Sequence, residues 1–204
     1  MTKVKICGIT RLEDIRAVNE IGSDYIGFVF APSRRRVEFG RAAELKAALN
    51  RDTKAVGVFV NEPIENIAAL VNKNTIDVVQ LHGYEDEPYI TRLKSLVGVP
   101  IIQAVRVRGS EQISFFSRMP SDYLLLDSYV RGERGGSGKS FNWSLIPPVK
   151  KPYFLAGGLD AGNVSEAILQ VHPYCVDVSS GVETDGFKDS KKMAEFVNLV
   201  RSVR

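Results

Sequence analysis

Residues 153–181 read YFLAGGLDAGNVSEAILQVHPYCVDVSSG, and the order of residue types in this stretch decides the fold. Two short apolar runs, 153–156 and 175–178, have the near-continuous hydrophobicity of strands covered on both faces. Between them a helix is expected to start near Asn163. The first run ends in Gly157-Gly158 and the second in Ser179-Ser180-Gly181. Strand, glycine-rich turn, helix and strand in that order form the repeating unit of a parallel α/β protein.

The unit recurs through the rest of the chain. Further strand candidates are 4–9, 25–30, 55–60, 77–81, 101–105 and 123–127. Thr10 and Glu13 have the spacing of a capping box, in which hydroxyl and carboxylate satisfy each other's free backbone N–H groups. Ile64, Ile67, Ala68 and Val71 fall on one helical face. Met193, Phe196, Val197 and Val200 do the same, with Asp189 or Ser190 as N-cap. Helical signals are weaker between strands five and six, and between six and seven, where Pro147-Pro148 cuts the segment short. Eight strands alternating with helices, without a linker, predict one α/β domain over residues 1–204, a closed (β/α)8 TIM barrel. An open doubly wound sheet is the structural alternative.

Composition narrows the functional classes. Of the 204 residues, 44% are hydrophobic and 25% charged, the balance of a soluble globular domain. No apolar run approaches the roughly 20 residues of a membrane span, so no membrane partner is expected. Residues 1–7 lead directly into a core strand and lack a signal-peptide pattern. Cys7 and Cys175 are the only cysteines, too few for a disulfide framework, and they fit a reducing, cytoplasmic setting. The net charge of +3 is mild, and Arg34-Arg35-Arg36 is the one dense basic run. Nucleic acid would call for a basic stripe with interleaved aromatics, so it is not expected as a partner.

In a TIM barrel the chemistry sits at the C-terminal ends of the strands, and phosphate commonly binds after strands seven and eight. Gly157, Gly158, Ser180 and Gly181 occupy those two loops, where backbone N–H groups can approach an anion without an intervening Cβ. The helix near Asn163 adds its positive dipole end. Ordinary strand-to-helix turns also favour glycine, but both clusters stand in the expected places. Asp127 closes an apolar strand, where burial raises a carboxyl's pKa toward proton donation; a loop-bracing aspartate is the alternative. Cys7 closes an equally central strand, although a free cysteine is more often inert core.

Arg34-Arg35-Arg36 follow strand two, where one arginine can serve as a carboxylate fork instead of solvated charge. His82 offers a ligand or acid/base group, but a lone histidine before Gly83 reads first as a hydrogen-bonded loop residue, and His172 as structural. The two histidines and two cysteines lack HExxH or CxxC spacing, so no metal is expected. The glycine-rich segment at 135–140 fails as a nucleotide-binding loop, because Glu133 stands where the first glycine belongs. It reads as a mobile loop over the site mouth.

Six blocks carry a family resemblance: Lys5-Ile6-Cys7-Gly8-Ile9-Thr10, Gly27-Phe28-Val29-Phe30, Gly57-Val58-Phe59-Val60-Asn61, Val79-Gln80-Leu81-His82-Gly83, Gly135-Gly136-Ser137-Gly138-Lys139 and Val176-Asp177-Val178-Ser179-Ser180-Gly181-Val182-Glu183. In this order they resemble the signature blocks of the phosphoribosylanthranilate isomerase family, from residue 3 to about 189. The resemblance implies an isomerase of tryptophan biosynthesis acting on a small phosphorylated substrate, without cofactor, as a monomer or homodimer. It implies Cys7 as general base and Asp127 as general acid. With the alignment anchored at Ser33, Arg35 matches the arginine that holds the anthranilate carboxylate, and Arg36 is the alternative. Gly157, Gly158, Ser180 and Gly181 match the phosphate loops. One block departs: Phe-Asp-Trp in the family is Phe141-Asn142-Trp143 here, so no catalytic role is expected at 142.

The implied reaction is an Amadori rearrangement, in which one acid and one base facing the same sugar suffice. Two other readings compete. The phosphoribosyl isomerase of histidine biosynthesis runs the same rearrangement, but has an aspartate in place of Cys7 and two phosphate-binding halves. A non-catalytic barrel that binds a phosphorylated metabolite would need none of Cys7, Asp127 and Arg35.

Overall fold

A computed structural model describes residues 1–128 and 141–203 of the chain. The glycine-rich loop at 135–140 lies outside the described residues. Eight strands run in the order of the sequence around a closed parallel barrel: β1 (Lys3–Cys7), β2 (Tyr25–Val29), β3 (Lys54–Phe59), β4 (Val78–Leu81), β5 (Ile101–Val107), β6 (Tyr123–Ser128), β7 (Tyr153–Leu155) and β8 (Cys175–Val178). Closure is made by β8 on β1, with Lys5 opposite Asp177 and Ile6 opposite Val178. The open doubly wound sheet is thereby excluded. Strands of β-branched and aliphatic residues suit this arrangement because both faces are covered.

Alternation along each strand sorts the residues into two environments. Outward residues such as Ile6, Ile26, Phe28, Val79 and Val176 meet Ile15, Leu45, Ile67, Leu93 and Phe196 from the surrounding helices. Inward residues fill the barrel. Near its base these are apolar, with Tyr25, Val56, Val78, Ile102, Leu125, Phe154 and Cys175 in one cluster. Toward the C-terminal rim the inward positions become polar: Lys5 and Cys7 on β1, Gln80 on β4, Asp127 on β6 and Asp177 on β8. The sheet thus carries its own transition from packed core to site.

The helices are α1 (Leu12–Ile21), α2 (Phe39–Ala47), α3 (Ile64–Asn72), α4 (Glu87–Leu96), α5 (Ser110–Phe116), α6 (Val164–Val171) and α7 (Ser190–Ser202). The expected apolar faces of α3 and α7 are buried, except that Leu70 replaces Ala68 and Val71 as the deeply buried C-terminal contact of α3. Asp189, not Ser190, caps α7 by accepting from the amides of Lys191 and Lys192 at 2.9 and 3.2 Å. The Thr10–Glu13 box does not form. Instead Asp14 accepts from the amides of Arg11 and Thr10 at 3.0 and 3.2 Å and from the Arg11 guanidinium at 2.7 Å. A buried carboxylate that gains an ion pair wins over the exposed Glu13. Between β6 and β7 the described residues hold only a 3-10 turn at Trp143–Leu145, ahead of the two prolines. Among the described residues, no helix is long and apolar enough to cross a membrane.

Candidate active site

At the C-terminal rim the barrel opens into a cavity of about 180 Å³. Cys7, Arg35, Asp127, Gly157, Gly158 and Ser180 all line it. Gly181 does not; a Cβ there would run into the carbonyl oxygen of Leu159, so this glycine lets the β8 loop close against the β7 loop. Its amide still stands in the first turn of the 3-10 segment Ser180–Val182, where helix N–H groups have no internal partner.

Cys7 ends β1, half-buried, with its sulfur turned inward over Gly27 of β2. A Cβ on Gly27 would sit 2.6 Å from that sulfur, so the second strand leaves the room the thiol needs. Burial pushes the Cys7 thiol above its ordinary pKa; Lys5 opposes this, Asp177 adds to it and Lys188 opposes it. Ser179 Oγ donates to the Cys7 carbonyl at 2.9 Å and fixes the strand end.

Asp127 is buried at the end of β6. Its Oδ1 accepts from the Ser128 amide at 2.8 Å, while Oδ2 lies 3.4 Å from His82 Nε2. On its other side the imidazole meets Gln80, whose Nε2 is 3.0 Å from Nδ1. His82 is therefore part of the cavity wall, facing Asp127, and not merely a braced loop residue. The alternation Val78, Gln80, His82 carries that signal, since every second residue of β4 points inward.

Arg35 reaches into the cavity from the β2–α2 loop, whereas Arg36 points away and pairs with exposed Glu38 at 3.2 Å. Glu183 accepts from Arg35 Nε at 2.7 Å and from its terminal nitrogen at 3.0 Å. The same carboxylate accepts from Lys188 at 2.7 Å and from Arg34 at 2.6 Å. Burial pushes the Glu183 carboxyl up, but Arg35 and Lys188 outweigh it and hold the pKa below its ordinary value.

The glycine loop after β7 is set by backbone conformation. Gly157 and Gly158 have φ of 86° and 67°, and Asn163 Nδ2 holds the Gly158 carbonyl at 2.8 Å just ahead of α6. On the opposite half of the rim a buried carboxylate occupies the comparable amides: Glu85 accepts from Asn61 N at 2.7 Å and Gly83 N at 2.8 Å. His172 ends α6 in a left-handed conformation and is structural. Asn142 caps the 3-10 turn, its Oδ1 accepting from the amide and hydroxyl of Ser144. An amide oxygen does this as well as a carboxylate would.

Comparison with known proteins follows the same lines. Residues 4–199 match the family model described as N-(5'phosphoribosyl)anthranilate (PRA) isomerase. The chain is 47% identical to the N-(5'-phosphoribosyl)anthranilate isomerase of Endomicrobium trichonymphae, with all of both chains covered. It is similar to the crystal structure of the Thermotoga maritima isomerase, a dimeric enzyme, with a TM-score of 0.89, 37% identity and coverage of 98% and 99%. A second similar structure is the isomerase in complex with reduced 1-(o-carboxyphenylamino)-1-deoxyribulose 5-phosphate, with a TM-score of 0.84, 34% identity and the same coverage.

Proposed function

The chain belongs to the N-(5'-phosphoribosyl)anthranilate isomerase family, and from that premise we propose how its residues divide the work. The enzyme catalyses the Amadori rearrangement of N-(5'-phosphoribosyl)anthranilate to 1-(o-carboxyphenylamino)-1-deoxyribulose 5-phosphate, a step of tryptophan biosynthesis. One observation carries the assignment of roles: Cys7 and Asp127 line one cavity, with Arg35 and the glycine loops of β7 and β8 lining it as well.

Asp127 gives its proton to the furanose ring oxygen, and the ring opens to a protonated imine. That cation acidifies the C2′ hydrogen, which the Cys7 thiolate removes; the C–H electron pair moves toward the imine and forms an enolamine. Tautomerisation of the enolamine yields the ketone. In barrel order β7 and β8 separate β6 from β1, so acid and base flank a sugar whose phosphate rests on Gly157, Gly158, Ser180 and Gly181. Arg35 holds the anthranilate carboxylate with the N–H donors that Glu183 leaves free. The sequence is redox-neutral, and Asp127 and Cys7 carry the ring-opening and C2′ protons. Glu85 on the opposite half favours a substrate with a single phosphate, because an anion already occupies those amides. The enzyme works in the cytoplasm as a monomer or homodimer; two free cysteines support the first, and the dimeric Thermotoga maritima relative the second.

The test follows the loss of anthranilate-type fluorescence on adding freshly generated phosphoribosylanthranilate, with EDTA present. Rapid conversion is expected, falling by roughly 10²–10⁴-fold in Cys7→Ala and in Asp127→Asn. Turnover in either variant equal to that of the unaltered chain removes that residue from the mechanism.

A further inference from the structure

One buried charge pair has no part in the steps above. Lys5 is fully buried inside the barrel, and its Nζ donates to both oxygens of Asp177 at 2.9 Å. The two residues face each other across the β1–β8 closure. Lys5 stands two residues before Cys7 on β1, so both side chains point inward, and the charge of the ammonium favours the Cys7 thiolate. An apolar pair of similar volume is often as stabilising as a buried ion pair, which must first be desolvated. Retaining a lysine directly beneath a thiol therefore asks for a reason in the thiol's chemistry.

We propose that Lys5 is a positioning residue of the isomerase: its ammonium is the counter-ion of the Cys7 thiolate, and Asp177 sets how much of that positive charge the sulfur receives. The proposal rests on Cys7 as the base. The sulfur is buried enough that its anion needs a cation close by. Asp177, held by two hydrogen bonds, keeps the ammonium charged and in place when Cys7 is a neutral thiol. When the thiol ionises, the buried ammonium is already in place on the same inward face of β1. After the thiolate takes the C2′ proton, the full charge of Lys5 returns to Asp177. Other charged groups around Cys7 act from different elements. Lys188, on the strand Phe187–Lys188, also favours the thiolate, Arg35 packs over Gly8, and Asp127 and His82 line the same cavity. None of these changes in the two variants that test the pair.

The experiment titrates Cys7 by its rate of alkylation with iodoacetamide against pH, in a Cys175→Ala background, for Lys5→Met and Asp177→Asn. The two substitutions are expected to move the midpoint in opposite directions. Loss of the ammonium raises it, and loss of the carboxylate lowers it, each unit changing the thiolate fraction at low pH about tenfold. In Lys5→Met the pH profile of kcat shifts with the midpoint, so raising the pH recovers turnover. Loss of a merely structural pair would lower turnover at every pH and leave the midpoint in place. An unmoved midpoint in either folded variant, or shifts of the same sign, overturns the proposal. If Lys5→Met does not fold, as judged by circular dichroism, Asp177→Asn decides alone, since it keeps the shape and loses only the charge. Turnover of Cys7→Ala tests the role of the base separately, because alkylation reads the sulfur whether or not it acts in catalysis.

Discussion

Arg35 is held by a carboxylate and still lines the cavity. Glu183 takes two of its five N–H donors and holds the guanidinium at the cavity edge, while Arg36 is turned toward solvent. The sequence favoured Arg35 only through an alignment anchored at Ser33 and kept Arg36 as the alternative; in the structure Arg35 lines the cavity and Arg36 does not. Arg35→Met is expected to raise KM on the order of tenfold to a hundredfold, the worth of a charge-assisted contact. Arg36→Met should leave kinetics near those of the unaltered chain, and steady-state assays of both variants check the assignment. The position of Cys7 and Asp127 was legible because each closes an apolar strand at the expected end, while the roles expected of them came from the family resemblance. His82 was not, because its partner Asp127 lies 45 residues away on another strand, with no local pattern to join them.

Among the elements, the β7 and β8 loops are the most tightly determined. Gly157 combines a left-handed φ of 86° with a neighbour, the Ser128 amide nitrogen, that would lie 2.5 Å from any Cβ. Gly157→Ala is therefore expected to cost about 1–3 kcal/mol of stability from backbone strain, and to weaken substrate binding by displacing the loop. Urea unfolding and KM measured on the same protein check both effects. The hairpin of Glu183–Thr184 and Phe187–Lys188 is a different kind of element. It is too short to be seen as two strands in the sequence, yet it delivers Glu183 to Arg35 and Lys188 to Ser179. The helix starts show the limit of spacing arguments: Thr10-Glu13 and Arg11-Asp14 are equally spaced, and burial of Asp14 chose between them.

For the whole molecule, the barrel separates stability from chemistry along its axis. Phe154 lies near the base, its ring 5.4–5.7 Å from those of Tyr25, Tyr123 and Tyr174. Phe154→Ala should cost about 3–5 kcal/mol in a denaturant melt, while KM of the folded enzyme stays close to its original value. A large rise in KM would show that base and rim are not independent. The sequence by itself determined the number and order of the barrel strands, the C-terminal placement of Cys7, Asp127 and the glycine loops, and the family. The strands and the placement of these residues follow from local periodicity and residue type, which act over a few positions, and the family from the resemblance of its signature blocks. Only the tertiary structure decided which side chains meet: Lys5 with Asp177, His82 with Asp127, Arg35 with Glu183. Each pair joins residues at least 45 positions apart, and closing β8 onto β1 and turning alternate residues inward is what brings them within hydrogen-bonding or ion-pair range.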